Sequence, residues 1–159
     1  VNVTDGAPAT KRTEARVFYT SNSLYVGFKC YDEEMKLKVD CARSNSEINN
    51  LAMSDDSVEF YVRAASRNKP SEQYVRFACN SECVKPERGP RWNVAAARKT
   101  DHWTVEMEIP FKSLGAVPRQ GDIWGVNFCR NNPGLPPNSW SYTQRIYAQP
   151  NFFGWARFE

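Results

Sequence analysis

Six polar or phenolic side chains sit out of phase with the apolar residues around them. In "DSVEFYVRA" (56–64), Val58, Phe60 and Val62 fall on one side, leaving Glu59, Tyr61 and Arg63 on the other. "EQYVRFAC" (72–79) places Val75, Phe77 and Cys79 together, with Tyr74 and Arg76 opposite. "DIWGVNFCRN" (122–131) sets Trp124, Val126 and Phe128 against Gly125, Asn127 and Cys129. If these three segments neighbour one another, one surface carries a carboxylate, a guanidinium, an amide and phenols. Planar hydrogen-bonding groups of this kind match vicinal hydroxyls, and aromatic rings beside them can stack on the apolar face of a sugar. The alternative from pattern alone is a solvated sheet face with an incidental Glu59–Arg76 cross-strand pair.

The elements that must position these residues are short strands. "EARVFYT" (14–20), the turn "SN" and "SLYVGFKCY" (23–31) read as a hairpin in which Leu24, Val26, Phe28 and Cys30 share a face. "RWNVAAAR" (91–98) and "HWTVEMEI" (102–109), joined by "KTD", read as a second hairpin, which stops at Pro110 and turns through "FKSLG". The helical signal is confined to the weak stretch 44–54 and a turn at 111–114. Regularly spaced strands with turn residues between them predict an all-β antiparallel β-sandwich, jelly-roll-like, with two sheets and little helix. Its predicted core comprises Val26, Phe28, Val58, Phe60, Val75, Phe77, Val105, Ile109, Val126 and Phe128. The long segment 131–151, carrying Trp140, Tyr142 and Tyr147, reads as a loop with a binding role, since loops rich in aromatic residues commonly carry function.

Composition narrows the alternatives. The 159 residues fit one domain, 1–159, with 41% hydrophobic and 25% charged residues. The net charge of +3 comes from scattered basic residues, which argues against a nucleic-acid partner. Nothing approaches the roughly 18 apolar residues of a membrane span. The five cysteines contain no CxxC pair, so a zinc site is not expected. Disulfides are the favoured reading, Cys79–Cys83 across a tight turn and Cys30–Cys41, against the alternative of small buried hydrophobes. "NVT" at Asn2 is a glycosylation acceptor in a secreted setting.

The ordered set "LYVGFKCYDEE", "DDSVEFYV", "YVRF", "WTVEMEIPFKSLG", "GDIWGVNFCR", "SW" and "FFGWARF" resembles the family 9 carbohydrate-binding module and its DOMON-like β-sandwich relatives, from about residue 14 to 159. The resemblance implies glycan recognition without catalysis, with an oligo- or polysaccharide as partner. It also implies an extracytoplasmic setting, within or beside a glycan-degrading protein. It maps the polar sugar contacts onto Glu59 and Arg76, assisted by Asn127. Met53 and Tyr147 stand where two sandwiching tryptophans are expected, and Trp140 is a further candidate for the stacking wall. Some members carry structural calcium; "YDEE" (31–34) and "SDD" (54–56) offer oxygen ligands, and the metal stays open. A spacer or protein-interaction sandwich is the bland rival. A haem protein would need a ligand from His102, Met53 or Met107, and a glycosidase a carboxylate pair such as Glu59 with Asp55 or Asp56. Neither set is well placed.

Overall fold

A computed structural model describes residues 1–33, 56–64, 73–86 and 89–159. Met53, Cys41 and the helix expected at 44–54 lie outside the described residues. The strands are β1 (Thr13–Tyr19), β2 (Ser23–Tyr31), β3 (Ser57–Arg63), β4 (Val75–Asn80), β5 (Asn93–Arg98) and β6 (His102–Pro110), then β7 (Ile123–Asn131), β8 (Asn138–Ser139) and β9 (Gly154–Arg157). A four-residue helix, α1 (Phe111–Leu114), follows Pro110 and is closed by Gly115 in the left-handed region (φ 66°), a conformation that glycine adopts without a Cβ clash.

Two antiparallel sheets form the sandwich. One has the order β1-β2-β6-β5; the other has the order β4-β3-β7-β8, with β9 also paired to β7. Both expected hairpins are present, and β3 lies between β4 and β7, the adjacency on which the polar surface depends. The period-two pattern explains the layering. Leu24, Val26, Phe28, Val58, Phe60, Val62, Phe77, Val105, Met107, Ile109, Trp124 and Val126 are all buried between the sheets. Val75 and Phe128, expected in the core, are partly buried at its margin. Trp92 closes one side, its ring edge-on to Phe77 at 5.6 Å.

Arg130 is the one residue of β7's inward face that breaks the apolar pattern. It donates through Nη1 to the carbonyls of Tyr31 (2.9 Å) and Arg12 (3.3 Å), so its charge ties the end of β7 to the first sheet. Its guanidinium also lies 5.9 Å from the ring centre of Trp103.

Among the described residues no disulfide is formed, the expected Cys79–Cys83 pair included. Cys30, Cys79, Cys83 and Cys129 are free thiols, and all but Cys83 are buried, as small hydrophobes of a strand face are. Burial pushes the Cys30 thiol up to about 12 and raises Cys79 and Cys129 as well.

Candidate functional site

The outward residues of the second sheet form rows across β4, β3 and β7. Glu59 pairs with Ala78 on one side and Cys129 on the other; Tyr61 pairs with Arg76 and Asn127. Glu59 is 1% exposed, so its charge must be met by neighbours. Oε2 accepts from Arg76 Nε at 2.5 Å and from the Tyr61 hydroxyl at 2.6 Å; Oε1 accepts from Asn131 Nδ2 at 3.0 Å. Asn131 Nδ2 also reaches Ser57 Oγ at 3.3 Å.

Arg76 stands at the outlet of this network. Its side chain is 27% exposed. Burial works against its charge, but the hydrogen bond and negative charge of Glu59 outweigh burial and hold it above the ordinary guanidinium value. Burial, joined by the charge of Glu59, raises the Tyr61 phenol, so that hydroxyl remains a donor.

The segment after β7 folds back over this face. Val3, Tyr61, Cys129, Tyr147 and Phe153 make a small second core on the outer side of the sheet. The first residues of the chain hold the segment in place: Val3 donates to the Pro137 carbonyl (3.0 Å) and Arg145 to the Val3 carbonyl (2.7 Å). Tyr147 is buried, its hydroxyl within hydrogen-bond distance of the Arg130 carbonyl (2.8 Å) and Asn131 Oδ1 (3.0 Å). Its ring meets Tyr61 edge-on at 6.3 Å. Burial raises its phenol too.

The structure therefore brings Glu59, Arg76, Asn127 and Tyr147 to one face but gives them different exposures. Glu59 and Asn127 are fully enclosed. Asn127 Oδ1 accepts from the backbone N–H of Ser141 at 3.1 Å, so the amide fastens the covering segment. Tyr147 is a wall behind the network rather than an open stacking surface. Trp140 does not join them. Its ring packs edge-on against Phe128 at 5.6 Å, and a Cβ on Gly154 would come within 2.1 Å of it. Phe128, and Gly154 through its partner Val126, belong to the inward side of their strands, so Trp140 lies at the open seam between β1 and β8. Met53 lies outside the described residues.

Tyr74, Arg63 and Trp155 complete the solvent-facing part of the sheet. Tyr74 is 38% exposed and contacts Tyr61 at 5.6 Å and Phe153 at 6.0 Å. Alternation had put Tyr74 beside Arg76; for Trp155 the signal was its place opposite Gly125, visible only once β9 is paired to β7.

The calcium motifs do not fit an ion among the described residues. Asp32 of "YDEE" is buried against Lys11 Nζ at 2.7 Å, and Asp56 of "SDD" lies 3.9 Å from Arg130 Nη2. Nor does Asp56 face Glu59, which is on the other side of β3. Met107 is core and His102 pairs with Tyr31 at the start of β6.

A β-sandwich with a charged, aromatic-lined sheet face defines a binding domain. The chain belongs to the carbohydrate family 9 binding domain-like family, whose pattern matches residues 2–154. Modules of this kind are non-catalytic and bind carbohydrate. Among solved structures, it is similar to a family 9 carbohydrate-binding module from Caldicellulosiruptor kristjanssonii. In the complex with glucose, identity is 20% and the TM-score 0.69, covering 97% of this chain and 80% of that one. In the complex with cellotriose, identity is 20% and the TM-score 0.71, covering 97% and 78%. A Bacteroides uniformis protein provisionally described as carbohydrate-binding superposes with a TM-score of 0.72 at 17% identity, covering 100% and 84%. The search of curated protein sequences gives no match.

Proposed function

We propose that this domain binds an oligo- or polysaccharide at the outlet of the Glu59–Arg76 network. The observation that carries the reading is Arg76, a guanidinium oriented by a buried carboxylate and still open to solvent, beside the exposed ring of Tyr74. Arg76 donates to sugar hydroxyls, and Tyr74 lies against the apolar face of the ring. Glu59 is then a positioning residue: it fixes Arg76 at Nε rather than meeting the ligand. Asn127 and Tyr147 hold the covering segment and so shape the back of the site. The glucose and cellotriose bound by the Caldicellulosiruptor kristjanssonii module support a glucan as the first ligand to try. Affinity on so open a site is modest, about micromolar to millimolar, because few ligand atoms lose water. Family membership supports an extracytoplasmic parent that degrades glycans; the free thiols add nothing to that placement.

The test is a glycan array on the folded domain, repeated with Arg76→Lys and Tyr74→Ala. Lysine keeps the charge that Glu59 needs but loses the planar fork. Selective binding that weakens in both variants supports the reading. A folded domain that binds no glycan favours the spacer or protein-interaction reading, which the burial of Tyr147 and Asn127 would then explain as a closed face.

A further inference from the structure

Trp155 is 61% exposed, an unusual position for the largest apolar side chain. It stands on the same face as the Glu59 network. The register aligns Arg63 with Gly125 and Gly125 with Trp155, so the three lie in one line across β3, β7 and β9. The Arg63 guanidinium lies over the indole, 5.2 Å from its ring centre. Gly125 makes this possible: a Cβ there would come 3.3 Å from Arg63 Nε and 3.6 Å from the Phe153 Cβ. With no side chain at that point, Arg63 lies low along the sheet and reaches the tryptophan. On the other flank, Tyr74 continues the line through its contacts with Tyr61 and Phe153.

We propose that a glycan chain lies across the strands along the row Tyr74–Arg63–Trp155, with Trp155 as the stacking platform of a second, distal sugar position. This rests on the binding reading given above. The row spans three strand spacings, about 14 Å, close to the length of a trisaccharide. Each part matches that ligand: aromatic rings at the two ends for the C–H faces of sugars, and a guanidinium between them for hydroxyls. Arg63 lies within the row and Arg76, paired with Tyr61, lies beside it, which suits a polar chain and not the broad apolar core of a protein interface. Arg63 also restrains the indole before binding, so little side-chain freedom is lost when a sugar stacks on it.

The experiment is calorimetric titration of the domain with glucose and with cellotriose, for the parent protein, Trp155→Ala, Trp155→Phe and Arg76→Lys. Trp155→Ala is expected to weaken cellotriose binding about fivefold to tenfold and to leave glucose binding within about twofold. Trp155→Phe is expected to restore part of the loss. An exposed residue should not alter folding, and an unchanged melting temperature checks this. Unaltered cellotriose affinity in Trp155→Ala, with weakened binding of both sugars in Arg76→Lys, overturns the distal position and leaves the binding reading standing. A parent protein that binds neither sugar overturns the distal position, and together with an empty glycan array it overturns the binding reading as well.

Discussion

Both carboxylate oxygens of Glu59 are occupied within the protein, so in the proposed site it orients Arg76 rather than meeting the ligand. A buried ion pair is weak evidence of net stability, yet removing one partner strands the other. Glu59→Ala is therefore expected to lower unfolding free energy by about 3 kcal/mol, the lower part of the range because Arg76 is partly solvated. Chemical denaturation measures it; a loss below about 0.5 kcal/mol would show that the network is not held as described. Alternation in the sequence was enough to put Glu59, Arg76 and Asn127 on one face. It carried no information on depth, because depth is set by what lies over the sheet. Alternation could not show that the Asn127 Oδ1 accepts from the backbone N–H of Ser141 in the covering segment.

At the scale of elements, the strands were legible and the covering segment was not. Period-two runs and hairpin turns are local signals, whereas residues 132–153 are held by contacts with residues 1–3 at the far end of the chain. That segment carries two aromatic residues to different places, Tyr147 over the Glu59 face and Trp140 to the seam. Gly154 is the test of this separation. Gly154→Ala places a methyl group against the Trp140 ring and is expected to cost about 1–3 kcal/mol, while sugar affinity of the folded domain stays unchanged. A thermal melt paired with a cellotriose titration checks both parts; lost affinity at full stability would return Trp140 to the site. Arg130, unforeseen among apolar neighbours, ties the sheets, and Arg130→Ala is expected to cost about 3–5 kcal/mol by denaturation because its carbonyl and carboxylate partners lose their cation.

Over the whole molecule, buried thiols make stability sensitive to alkali. Cys30, with its thiol raised to about 12, and Cys79 and Cys129, also raised, stay protonated in the fold. In the unfolded chain, thiols lose their protons near pH 8.5, so above that pH the unfolded state binds fewer protons and stability falls as pH rises. Each such thiol contributes a loss of about 1.4 kcal/mol per pH unit until its folded value is reached. Cys129→Ser is not a clean control, because it buries a hydroxyl. Cys30→Ala, measured from pH 8 to 10, is expected to flatten the decline in melting temperature; an unchanged slope would mean Cys30 is not held protonated. Free thiols also explain why five cysteines misled the reading of disulfides: in a strand face, cysteine packs as a small apolar residue and no pairing need follow.

The central claim is that sugar meets this molecule on the Arg76 face. The most direct measurement is residue-resolved NMR of arginine Nε and tryptophan indole N–H groups during addition of cellotriose. The account predicts saturable shifts at Arg76 and Trp155, with the indoles of Trp103 and Trp140 unmoved. Shifts confined to Trp140 would place the ligand in the seam between the sheets and contradict it.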